Sequence, residues 1–128
     1  MKKLLLFTVL AALVAAPAAS AKRSSSPNKH YNITVGILSM GSSQVTFQVM
    51  RDRVRETDPV IVGVLCTDAN GNLIGNLQNY AWVVWDSTGL VGTAGPLPDY
   101  ADIGATQCQA GAESGSNNVS QFIYFTPA

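Results

Sequence analysis

The chain has 128 residues, eight Lys and Arg against eight Asp and Glu, one His, and a net charge of zero at pH 7. Only 12% of its residues are charged, so it lacks the basic footprint that neutralising several phosphates requires, and nucleic acid is excluded as a partner. The length suits one domain with a modest core.

Residues 1–21 (MKKLLLFTVLAALVAAPAASA) have the three parts of a cleavable export signal: Lys2 and Lys3, an apolar run over residues 4–16, and Ala19-Ser20-Ala21 at the cleavage site. The apolar run is too short for a bilayer core, which takes about 20 helical residues. Cleavage after Ala21 leaves a mature chain of 107 residues with six Lys and Arg, hence a slightly acidic one. No second apolar stretch reaches spanning length, so the mature chain is expected in the periplasm or outside the cell, not inserted in a membrane. The signal is of bacterial type, and the sequons at Asn32 and Asn118 are read as coincidental.

Residues 22–29 (KRSSSPNK) form a charged, Ser-rich tail with nothing to bury, expected to be flexible. The remainder, residues 30–128, is expected to be a single β-domain. Tyr31, Ile33, Val35 and Ile37 alternate with small or polar residues, as a strand with one dry face does. After a turn at residues 40–43, Val45, Phe47 and Val49 repeat the pattern, which predicts an antiparallel hairpin. Residues 51–58 (RDRVRETD) carry the only dense charge cluster and read as a solvated loop. Residues 60–67 (VIVGVLCT) are apolar on both faces, which predicts a central strand. The Asn70-Gly71 pair then signals a hairpin turn, with a short return strand at residues 72–75.

Residues 80–86 (YAWVVWD) read as one strand holding both tryptophans, and residues 89–94 as a short one. Residues 95–118 are rich in Gly, Pro, Ala, Ser and Asn. They read mostly as loop, with room for a short helix over residues 99–109. Residues 119–126 close the chain as a strand. Six or seven short strands without a sustained helical period predict an all-β fold, a small antiparallel β-sandwich.

Cys66 and Cys108 are the only cysteines. In an exported chain they are expected to form a disulfide. Closing a loop of 43 residues stabilises by about 4 kcal/mol through chain entropy.

Catalytic signatures are missing: His30 is the only histidine, and no Gly-x-Ser-x-Gly, P-loop or His-Glu-x-x-His occurs. Asp86, Asp99, Asp102 and Glu113 are the acids available for a glycosidase pair, which two-carboxylate chemistry would need about 5–9.5 Å apart. Asp68, Asn70 and Asn72 begin like a calcium loop, but Leu73 replaces the required Gly and Asn79 the bidentate Glu. No enzyme activity, metal or cofactor is expected. Tyr80, Trp82, Trp85 and Tyr100 are the candidate ligand-binding residues, an aromatic platform for sugar rings. Alternation sends Trp82 and Trp85 to opposite sides of one strand, so one of them belongs in the core.

The order strand, Asp68-Ala69-Asn70-Gly71-Asn72, strand over residues 60–75 resembles the immunoglobulin-like β-sandwich modules of bacterial exported proteins, across a third of the mature chain. Trp82 lies 16 residues past Cys66, and Thr106 stands two before Cys108 where that family sets a Tyr. Residues 44–75 are also similar to small β-rich phage-associated structural proteins. Chaperone-assembled pilins are a related comparison, although they carry a Tyr next to the C-terminus and this sequence ends Thr126-Pro127-Ala128. The resemblances imply a non-catalytic binding or structural module. It would act through strand edges and loops, residues 95–118 above all, on a protein or a cell-surface glycan, with self-assembly as the alternative.

Overall fold

A computed structural model describes residues 31–55, 57–75 and 78–128; the segments expected to be an export signal and a tail, together with His30, lie outside the described residues. Two antiparallel sheets pack face to face with one apolar core between them. The first sheet orders β1 (Ile33–Gly41), β2 (Gln44–Arg51), β7 (Val91–Pro98) and β6 (Val84–Trp85). The second orders β4 (Leu73–Ile74), β3 (Val60–Thr67), β8 (Gln107–Ser114) and β9 (Ile123–Phe125), with β5 (Tyr80–Trp82) also paired to β3. The expected β-sandwich is therefore observed, with nine strands among the described residues instead of six or seven.

The hairpin β1–β2 forms as the alternation predicts, and Val45, Phe47 and Val49 are buried. Its turn is tighter than expected. Only Ser42 and Ser43 lie outside the ladder, both with positive φ (54° and 63°), the geometry of a two-residue type I′ turn. The dry face of β1 fades along the strand. Tyr31 and Ile33 are buried, but Ile37 is 40% exposed on β1, the edge strand of its sheet. An extra residue between Ile37 and Ser39 then makes a bulge, which returns Met40 to the core side.

Residues 51–58 are not simply a solvated loop. Their middle is exposed, whereas Arg51 and Asp58 at the two ends are buried. The Arg51 guanidinium lies 3.8 Å above the Trp85 ring and its Nε donates to the Gly89 carbonyl at 2.8 Å. Asp58 accepts from the Tyr31 hydroxyl and from both the backbone N–H (2.7 Å) and hydroxyl (2.6 Å) of Ser116. Burial first, and this bond second, push the Tyr31 hydroxyl above its ordinary pKa. A charge cluster that looks solvated in one dimension thus ties three distant segments together.

Residues 80–86 are not one strand either. β5 pairs with β3 in one sheet, Val83 donates its N–H to Val60, and β6 then pairs with β7 in the other sheet. The segment turns the corner of the sandwich. Gly92 allows it to pass, since a Cβ there would come within 2.6 Å of the Val83 side chain and 2.8 Å of the Val84 carbonyl. The Asn70-Gly71 turn forms with φ positive at Gly71, and the Asp68 carboxylate accepts the N–H groups of Asn70 and Asn72.

The largest departure concerns residues 95–118. They hold the end of β7, a 3-10 turn at Ala101–Ile103 and the whole of β8, which sits between β3 and β9 at the centre of its sheet. β7 also runs further than residues 89–94, with an extra residue opposite Thr46 that absorbs Pro96 in a bulge. Half of the segment read as a binding loop is therefore strand, and β8 within it lies inside its sheet. Its small residues do not carry strand propensity but suit a tight layer: Ala110, Ala112 and Cys108 are fully or almost fully buried opposite Val64, Val62 and Cys66.

Cys66 and Cys108 are directly opposite in the β3–β8 ladder, with Cα atoms 4.0 Å apart, and are bonded as expected. A Cys66→Ala, Cys108→Ala double variant is expected to lose about 4 kcal/mol of unfolding free energy. Denaturant titration reads this as a lowered midpoint; an unchanged midpoint would mean that the ladder holds without the bond.

Candidate functional site

In the second sheet the even-numbered residues of β3 and β8 face the core, so the odd-numbered ones line the outer face. Strand register fixes what stands beside what. Trp82 of β5, Ile61 of β3 and Glu113 of β8 form one row. Tyr80, Gly63 and Gly111 form the next, and Leu65, Gln109 and Tyr124 the third. Neighbouring strands lie about 4.8 Å apart, so β5 and β9 stand about 14 Å apart across the face. Neither glycine adds a side chain to the middle row of this face. Phe122 lies over Gly111, where a Cβ would approach its ring to 2.7 Å.

Three aromatic side chains project from this surface: Trp82 is 59% exposed, Tyr124 56% and Tyr80 48%. Tyr80 and Trp82 stand together on β5, and large apolar surface left in water on one sheet face is a candidate interaction site. Beside Trp82 is a cavity of about 140 Å³, lined by Pro59, Ile61, Trp82, Glu113, Ser114 and Gly115. Its acid, Glu113, is half-buried, and burial pushes its carboxyl above the ordinary value. In the third row the Gln109 side-chain nitrogen is buried without a hydrogen-bond partner, the one such side-chain atom among the described residues.

The four sequence-level candidates divide. Tyr80 and Trp82 are two residues apart on β5 and share the outer face. Trp85 belongs to the other sheet, where it packs against the core under Arg51. Tyr100 also packs against the core, its ring pressed onto Gly75. The structure therefore groups Tyr80 and Trp82 with Tyr124 and Glu113, which the sequence did not single out for binding. Tyr124 was visible as the polar-tipped member of the alternating run Ile123-Tyr124-Phe125, but only register shows which residues it faces.

The remaining candidate acids are occupied or dispersed. Asp99 is fully buried and accepts the N–H groups of Ala101 and Ala128. Asp86 is exposed in the β6–β7 turn, and its bond from the Thr88 hydroxyl holds its pKa down. Asp102 sits in the 3-10 turn. Groups of three or more His, Cys, Asp or Glu placed to hold a metal do not occur among the described residues.

The fold and this surface define a disulfide-linked, two-sheet β-sandwich with an aromatic outer face. No protein-family model matches the chain, and no curated protein matches it in sequence.

Glu113 makes a checkable contribution to stability. Its folded-state pKa is raised, so the native state holds the proton to higher pH than the unfolded chain does. Its contribution is complete below the unfolded value near 4.5 and is lost as pH rises through the folded value. Glu113→Gln is expected to match the wild type in acid and to exceed it at neutral pH. Urea midpoints measured at both pH values check this; a variant less stable than wild type at neutral pH would contradict it.

Proposed function

We propose that this chain is an exported, non-catalytic binding module that holds a glycan against the outer face of β5, β3, β8 and β9. The single observation that carries the reading is the projection of Tyr80, Trp82 and Tyr124 into water from one face of the second sheet. A sugar ring has an apolar face of C–H groups and a rim of hydroxyls. Rigid aromatic side chains match the face at small entropic cost, and polar tips and neighbouring acids and amides match the rim. The export signal supports action outside the cytoplasm, and a Cys66–Cys108 disulfide is at home in an oxidising compartment. Affinity electrophoresis through gels containing different polysaccharides is expected to show retardation in at least one. Trp82→Ala should weaken that binding about tenfold, the equivalent of 1.4 kcal/mol. Its unfolding midpoint should barely move, since the side chain is mostly exposed. Migration unaffected by every polysaccharide, or by the substitution, would overturn the reading.

A second reading, assembly through a strand edge, is favoured by β1. Its nine residues include no charge and no proline, and Ile37 and Leu38 are exposed. Such an edge lacks the usual guards against pairing with another chain, apart from its bulge. If it assembles, sedimentation velocity will show concentration-dependent dimers that Leu38→Lys abolishes; a monomer at all concentrations refutes assembly.

A further inference from the structure

The outer face carries an acid whose situation the fold itself does not explain. Among the described residues, four carboxylates are at least partly withdrawn from water: Asp58, Asp68, Asp99 and Glu113. Three have donors that balance the loss of solvent. Asp58 has Tyr31 and Ser116, Asp68 has the N–H groups of Asn70 and Asn72, and Asp99 those of Ala101 and Ala128. Glu113 is half-buried, and among the described residues its carboxylate meets neither a hydrogen-bond donor nor a cation. A carboxylate desolvated without a partner costs free energy that an exposed position would not. It stands in the wall of the cavity beside the Trp82 indole.

An indole and an unpaired carboxylate lining one apolar cavity are the two elements that attract an organic cation. The ring quadrupole draws positive charge to its face, and the desolvated carboxylate adds a charge-assisted hydrogen bond. An ammonium on a small carbon skeleton supplies both partners at once. The adjoining surface narrows the skeleton further. Tyr80 is two residues from Trp82 on the same side of β5, about 7 Å along the strand, so consecutive flat groups meet consecutive aromatics.

We propose that the cavity between Trp82 and Glu113 is a subsite for the ammonium group of an amino sugar, with the sugar ring on the indole and the amine on the carboxylate. The inference rests on the glycan reading above and names its ligand class: a polysaccharide containing free, unacetylated amino sugars. Acetylation removes the charge and adds bulk where the cavity is small, so the site distinguishes the two forms.

Isothermal titration calorimetry at low salt separates the outcomes, with a glucosamine oligomer, its fully N-acetylated counterpart of equal length and a lysine oligomer as probes. The wild type is expected to bind the glucosamine oligomer about tenfold more tightly than the acetylated one, a difference of 1.4 kcal/mol. Glu113→Gln should erase that preference while keeping binding to the acetylated oligomer, and its unchanged or raised unfolding midpoint will show that the fold is intact. Trp82→Ala should weaken both. Equal affinity of the wild type for the two sugars, or a preference that survives Glu113→Gln, overturns the subsite. A lysine oligomer bound as tightly as the glucosamine oligomer overturns the sugar assignment in favour of a cationic peptide. If neither sugar oligomer binds but another polysaccharide does, the subsite fails and the glycan-binding face stands. If no polysaccharide binds, both fail.

Discussion

The pairing of β3 with β8 is the constraint on which the rest of the structure depends. It is an eight-residue ladder at the centre of its sheet, and its inward pairs set large against small: Val62 against Ala112, Val64 against Ala110 and Cys66 against Cys108. Valine alone on both strands would overfill the space between the sheets, and alanine alone would leave it empty. The disulfide lies within this ladder, so the covalent link and the hydrogen bonds enforce the same register. Opposite it, the fully buried Phe47 of β2 meets Phe125 of β9 edge-on, ring centroids 5.8 Å apart.

That register also builds the outer face, because side chains alternate along both strands. Placing Cys66 opposite Cys108 requires Gly63 to stand beside Gly111, and Ile61 beside Glu113. The paired glycines and the acid-lined cavity are therefore consequences of the same pairing that closes the core. The flanking aromatics come from elements that reach the sheet by different routes. β5 arrives before the chain crosses at Val83 to the other sheet, and β9 arrives after a loop fixed by Ser114, Ser116 and Asn118.

The polar network around Arg51 and Asp58 holds the same end of the sandwich together. It joins the start of β1, the loop before β3 and the loop after β8 through Tyr31, Asp58 and Ser116. Here each buried acid has its donors, and the guanidinium lies on an aromatic ring. Glu113, by contrast, is left without one a few residues along β8. Strand β8 thus carries two polar side chains the fold leaves without partners, the buried amide nitrogen of Gln109 and the half-buried carboxylate of Glu113 beside the most exposed tryptophan. An arrangement that costs stability locally and is not repaired elsewhere is the physical signature expected of a functional site.

Alternation in the sequence determined the class of fold, the hairpin of β1 and β2, the central place of β3, the turn at Gly71 and the pairing of the two cysteines. These are local or nearly forced: period two sets a dry face, Asn-Gly sets a turn, and two cysteines leave one pairing. Tertiary structure alone decided that alanines and glycines in residues 107–114 form a core strand, since such residues have no strand preference until a valine-rich neighbour pairs with them. It alone broke residues 80–86 at Val83, sending Trp82 outward on one sheet and Trp85 inward on the other. It also joined Trp82 to Glu113 across an intervening strand, a meeting of residues 31 positions apart that depends on register, which no local pattern in the chain encodes.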